Sequence, residues 1–138
     1  MPDFRLPHDE RLRSFGAVRR LFQDGHGGFV YPFRYTFLVR AAEGIGENVN
    51  SEAEQSVGRI EVMFSVPKKF HKRANKRNLL KRRTREAYRL SREELKAKVE
   101  ASGSVIDVAF VYSTKEIHSY KTISHAVQRI LEQIGSRL

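Results

Sequence analysis

Apolar residues recur at helical spacing over residues 11–24, where Phe15, Val18 and Phe22 are joined by Leu12 and Leu21 while Arg19, Arg20 and Gln23 take the wet side. This predicts a short first helix. Gly25 is a natural stop, and Gly27 and Gly28 extend the break. Residues 29–41 change period. Phe29, Val30 and Tyr31 form a β-prone run, Pro32 interrupts it, and from Phe33 the chain alternates. Phe33, Tyr35, Phe37 and Val39 then share one face, with Arg34, Thr36, Leu38 and Arg40 on the other. A polar, acidic, Gly-containing stretch over 43–56 predicts a flexible loop. Alternation resumes at 58–66, with Ile60, Val62, Phe64 and Val66 against Arg59, Glu61, Met63 and Ser65, and Pro67 ends it.

The second half predicts a long helix over 74–100, breaking or bending near Ser91, then a buried strand over 104–112 after Gly103. A last helix over 116–135 carries Ile123, Val127, Ile130, Leu131 and Ile134 as its apolar stripe. The first ten residues, with Pro2 and Pro7, read as irregular. The predicted order is α, two or three strands, then α, β, α. One α+β domain over 1–138 accommodates it, large enough to bury roughly two-thirds of its unfolded surface.

Charge sharpens this outline. Lys and Arg number 26 against 16 Asp and Glu, a net charge of +10, and such a field draws polyanions. Nucleic acid is the expected partner. A membrane-lying helix needs a broad apolar face opposite its charges, and the basic segment has only a thin one. The absence of cysteine excludes disulfides, thiolate nucleophiles and zinc–thiolate sites. With no apolar run of membrane-spanning length and no signal-peptide core at the N-terminus, the expected location is the cytoplasm.

Between Lys68 and Arg92 lie twelve Lys or Arg and a single acid, Glu86, until the helix reaches Glu93. Arg73, Arg77, Lys81, Arg85 and Arg89 are spaced by four, which stacks them along one slowly drifting helix face. Like charges at that spacing repel by ~0.2–0.5 kcal/mol per pair, a local conflict that an anionic partner would relieve. Leu80, Thr84, Ala87 and Tyr88 supply a side that can dock on a sheet, while Asn75 and Asn78 can donate to phosphate or ribose.

No catalytic constellation is legible. His8, His26, His71, His118 and His125 show no i, i+4 zinc pairing and read as surface histidines. Asp107, inside an apolar strand, reads as a paired structural acid. Charge alone leaves three alternatives open: a ribosomal or other structural RNA-binding protein, a DNA-binding module with its basic helix in the major groove, and a self-sufficient nuclease.

Particular residues go further. Phe64-Ser65-Val66-Pro67-Lys68-Lys69, Arg73-Ala74-Asn75-Lys76-Arg77-Asn78, Lys81-Arg82 and Arg85-Glu86-Ala87-Tyr88-Arg89 occur in this order. Arg11-Leu12-Arg13, Leu21-Phe22, Gly25 and Tyr31-Pro32-Phe33-Arg34 precede them. The whole resembles the bacterial ribonuclease P protein component. The family's second motif arginine is Leu79 here, and the 43–56 loop is longer than its pattern.

The resemblance implies an α-β-β-β-α-β-α sandwich like the ribosomal protein S5 domain 2-like fold, with a left-handed βαβ crossover. It implies the protein subunit of a ribonucleoprotein endonuclease that removes the 5′ leader of precursor tRNA. The RNA subunit would be the catalyst and would use Mg2+. The protein would bind no cofactor itself and need no obligate protein partner. Lys68, Lys69, Arg73, Arg77, Asn78, Lys81, Arg82 and Arg85 would then contact the catalytic RNA. The leader would cross the wet face of strand 33–40, with Val18, Phe22, Arg34 and Thr36 as candidates, although Phe22 at helical spacing with Phe15 also suits a core.

Overall fold

The computed structural model describes residues 10–41 and 58–138, so the expected 43–56 loop and nearly all of the irregular N-terminus lie outside it. Its elements are α1 (Phe15–Asp24), β1 (His26–Val30), β2 (Phe33–Ala41), β3 (Arg59–Ser65), α2 (Ala74–Ser91), α3 (Glu93–Ser102), β4 (Ser104–Tyr112) and α4 (Tyr120–Ser136). The strands form one sheet in the order β1-β2-β4-β3. β1–β2 and β2–β4 are antiparallel, while β3 and β4 are parallel and joined by the α2–α3 crossover. No helix among the described residues is long and apolar enough to cross a membrane.

Several boundaries differ from the periodicity. The first helix begins at Phe15, because the backbone of Arg11 and Leu12 is held against β3: Leu12 N–H donates to the Val62 carbonyl at 2.9 Å. Ser14 then caps the helix by accepting from the Ala17 N–H. Gly27 and Gly28, expected to prolong a break, are strand residues paired with Thr36 and Tyr35. The only turn between β1 and β2 is Tyr31-Pro32, whose peptide bond is cis. The expected long helix is two helices meeting at Arg92, and Gly103 closes the second in a left-handed conformation.

The two sheet faces are covered unequally. Phe33, Tyr35 and Phe37 of β2, Ile60 and Val62 of β3, and Ile106, Val108, Phe110 and Tyr112 of β4 face α2, α3 and α4, forming the main core with Leu80, Tyr88, Val99 and Ile130. Among the described residues, the other face carries only α1. A smaller cluster of Leu12, Ala17, Leu21 and Ala109, with Val18, Leu38 and Met63 at its rim, seats it there. Leu38 therefore lies under a helix rather than on a wet face. Val39, on the predicted core side, is exposed. β4 is central and covered on both sides, so it is buried from Val105 to Phe110.

Asp107 belongs to that buried run and is fully enclosed. Arg40, one strand over, meets it with two hydrogen bonds of 2.8 and 3.2 Å, as expected for a paired structural acid. Glu61 lies 3.8 Å from the same guanidinium and also accepts from Arg59 at 2.8 Å. At the N-terminal edge, Glu10 is buried against Arg92 and lies 3.7 Å from Lys96.

Tyr88 is buried among Phe64 and Phe110, with ring centroids 5.8 and 6.0 Å away, and its hydroxyl has no hydrogen-bond partner. Burial pushes its phenol above the ordinary range, with Glu10 adding to the shift and Arg92 opposing it. The unfolded chain therefore releases this proton first, and stability falls as pH rises above about 10. Burial also raises Tyr112, so Tyr88 accounts for part of that alkaline loss. Tyr88→Phe keeps the ring and removes the unpartnered hydroxyl. Urea denaturation of the variant is expected to show unchanged stability or a gain of up to about 1 kcal/mol at neutral pH. It should also show a shallower decline above pH ~10; a loss of more than ~1 kcal/mol at neutral pH contradicts this account.

Candidate nucleic-acid interface

The basic segment starts where β3 ends. Pro67 halts the strand, and the N–H groups of Phe70 and His71 both donate to its carbonyl, making a tight turn that exposes Lys68 and Lys69. Lys69 Nζ sits 5.1 Å from the Phe70 ring centroid. α2 then begins at Ala74, after the N-cap residue Arg73, with neither a side-chain cap nor an acid in its first turn. Helix N-terminal amides and nearby cations thus point the same sign of potential outward, which favours a bound anion.

The four-spaced ladder does not stay on the wet surface. Leu80, Thr84, Ala87 and Tyr88 dock the helix, and Arg77, Lys81, Arg85 and Arg89 flank that seam half-buried. Arg77 Nη1 donates to the carbonyls of His71 (3.1 Å) and Lys72 (2.7 Å), so it braces the turn that carries the lysines. Arg89 is paired with Glu86 at 2.8 Å. Arg83, on the opposite flank, donates to the His118 carbonyl at 2.5 Å. Lys81, Arg82 and Arg85 have no intramolecular partner among the described residues, and Asn75, Asn78 and Arg82 are exposed along the helix. Leu79 is half-buried.

On the opposite face of the sheet, beside α1, Phe22, Gly27, Phe29, Arg34, Thr36 and Val111 line a groove of about 730 Å³. Phe15 and Phe22 do not enter the core; they are 79% and 52% exposed. The reason is that Ala17 and Leu21, not the phenylalanines, form the stripe pressed on the sheet. Phe29 stands 55% exposed on the groove's other side. Pairing register gives a cross-sheet row, Phe29↔Arg34↔Val111↔Ser65, that runs from the groove to the end of β3. Two residues beyond Ser65 the chain enters Pro67-Lys68-Lys69.

Residues 6–135 match the family model described as Ribonuclease P. The chain belongs to the Ribonuclease P family. It is 29% identical to the ribonuclease P protein component of Porphyromonas gingivalis strain W83 over 137 residues, 99% of this chain and 91% of the relative. Strain 33277 of the same organism has one at 28% identity, matched over 98% of this chain and 90% of its own length. Among solved structures, the Staphylococcus aureus RNase P protein superposes with a TM-score of 0.61 at 17% identity, covering 91% of this chain and 94% of that one. The Thermotoga maritima RNase P protein gives 0.58 at 21%, covering 90% and 96%. At those identities the structures establish a shared fold.

Within this ribonuclease P protein, the sequence-based candidates divide by position. Lys68, Lys69, Arg73, Asn78 and Arg82 are exposed, while Arg77, Lys81 and Arg85 are half-buried along the docking seam. Phe22, Arg34 and Thr36 meet at one groove. Val18 packs instead at the rim of the α1 cluster. Periodicity missed Phe29, Val111 and Gly27. Recognising Tyr31-Pro32 as a two-residue hairpin turn would have placed Phe29 opposite Arg34, hence on the same face.

His71 is not a surface histidine. It is buried, with Nε2 2.9 Å from the Thr114 carbonyl and its ring against Tyr112. His118 is half-buried, with Nε2 3.1 Å from the Tyr31 hydroxyl, which donates to Glu116 at 2.6 Å.

Arg77 is thus a brace as well as a cation. Arg77→Lys keeps the charge but lacks the fork that spans two carbonyls. Hydrogen exchange over residues 68–76 is expected to accelerate in the variant, and RNA affinity to fall without change in its salt slope. Wild-type exchange rates there would remove the bracing role.

Proposed function

We propose that this ribonuclease P protein grips the catalytic RNA with the Lys68–Arg85 surface and guides the single-stranded 5′ leader of precursor tRNA along the groove between α1 and β1. The observation that carries the reading is the row Phe29, Arg34, Val111, Ser65, which joins the groove to the first lysines of the basic segment. A strand lying in the groove would be delivered to the edge of the RNA-gripping surface. The groove's chemistry suits an unpaired strand: exposed Phe22 and Phe29 offer stacking surfaces, Arg34 a cation and Thr36 a hydroxyl. The basic surface suits phosphates, with Lys68, Lys69, Arg73 and Arg82 exposed and Lys81 and Arg85 unpaired.

Bond cleavage falls to the RNA subunit, with Mg2+ held there. Asp107, Glu61 and Glu10 are occupied by arginines, and no group of three or more metal-ligating side chains occurs among the described residues. The protein's contribution is positional: it neutralises phosphates and holds the leader, so that less Mg2+ is needed to assemble the complex.

Reconstitution with a bacterial ribonuclease P RNA at low Mg2+ is expected to remove the 5′ leader only when RNA and protein are both present. Cleavage by the protein alone contradicts the division of labour. In the same system, Lys81→Ala with Arg82→Ala should lower the salt slope of RNA binding by about 0.7–0.9 for each phosphate left without its cation. An unchanged slope sinks the assignment of these two cations.

A further inference from the structure

We propose that the outer edge of β1 and the facing side of α4 form a second contact for single-stranded RNA, which takes the leader nucleotides farthest from the cleavage site as they leave the α1–β1 groove. The inference rests on the leader reading above and extends the leader's path beyond that groove.

α4 carries a polar row of its own. Lys121, His125 and Arg129 are spaced by four, which sets them along one side of the helix, and all three are exposed. None has an intramolecular partner among the described residues. The nearby acids are turned elsewhere: Glu132 lines the groove that α4 shares with α2 and α3, and Glu116 accepts from the Tyr31 hydroxyl. Facing His125 and Arg129 across a groove of about 460 Å³ are Phe29 at the end of β1 and Tyr31 just after it, 55% and 48% exposed. Their ring centroids are 6.5 Å apart. Tyr31 is fixed by Glu116 and by His118, whose ring meets it edge-on at 5.2 Å. Rings left exposed yet held in place offer stacking surface at little ordering cost.

Phe29 lines this groove and the α1–β1 groove alike, so the two are continuous over the sheet edge. Among the described strands, β1 pairs with β2 alone. The cross-sheet row runs from Ser65, beside the lysine turn, to Phe29. A leader that enters from the basic surface therefore leaves at Phe29, and its next nucleotides meet Tyr31, His125 and Arg129. Rings for bases beside cations for phosphates suit an unpaired strand, whereas a duplex keeps its bases stacked on one another.

The test uses holoenzyme reconstituted with a bacterial ribonuclease P RNA and precursor tRNAs whose leaders are lengthened stepwise. In the wild type, affinity is expected to rise as the leader fills the α1–β1 groove and to rise again once it passes the β1 edge. Lys121→Ala with Arg129→Ala should abolish the second rise and leave the first. The salt slope for the longest leader should drop by about 0.7 for each cation removed. Both side chains are exposed, so the melting temperature of the variant should match the wild type. The chain has no cysteine, so His125→Cys can carry a single photocrosslinker. It should label leader nucleotides 5′ of those labelled from Thr36→Cys. A loss equal at every leader length, or label confined to the catalytic RNA or the tRNA body, would overturn the proposal, as would a double variant that keeps the second rise. A wild type with only the first rise would overturn the second contact while leaving the leader reading intact. Absence of any leader advantage in the wild type would overturn both.

Discussion

Strand β4 is buried without interruption from Val105 to Phe110. It pairs with β2 and β3, the main helical layer covers one of its faces, and α1 reaches the other through Ala109. Every charge on it must therefore find a partner inside the fold, and Asp107 finds Arg40 on β2 in a two-point ion pair. The same strand holds the parallel crossover together, since among the described strands β3 pairs with β4 alone. α1 is ten residues long and seats over the middle of its face, with Leu38, Ala109 and Met63 beneath it. The part of the face it leaves uncovered, around Arg34, Thr36 and Val111, is the groove.

The cations divide by what they already hold. Arg40, Arg83, Arg89 and Arg92 are tied to carboxylates or to a carbonyl, and Arg77 braces a turn. Each stabilises the fold and is correspondingly less available to an external anion. Lys81, Arg82 and Arg85, with the exposed turn lysines, remain unneutralised on a helix that has no acid in its first turn. Mutual repulsion there is tolerated because Leu80, Ala87 and Tyr88 anchor the helix from below. The charge imbalance is concentrated where a phosphate backbone can relieve it.

Groove and basic surface belong to opposite layers of the sheet, yet they meet at one end. The strand register makes Ser65 the last residue of the cross-sheet row, and Pro67 then redirects the chain into the lysine turn. His71 and Arg83 pin that region to the β4–α4 connection through the carbonyls of Thr114 and His118. The two surfaces thus meet at one corner, and under the proposed function that corner would set a leader and a catalytic RNA in fixed relation to each other.

The sequence by itself determined the elements with strong period and the charge that defines the partner. Alternation located β2 and β3, the apolar run located β4, and the stripe on α4 located its buried side, because each pattern is a direct consequence of local geometry. The lysine turn and the ladder were legible for the same reason. Only the tertiary structure decided which side of α1 is core, that Gly27 and Gly28 are strand residues, that His71 is buried and that Arg77 holds its own backbone. These depend on contacts between residues distant in sequence or on turn geometry. Phe15, Phe22 and Phe29 show the limit most directly. Hydrophobicity marked them as suitable for burial, but whether a partner surface covers them was set by how little of one sheet face a ten-residue helix can reach.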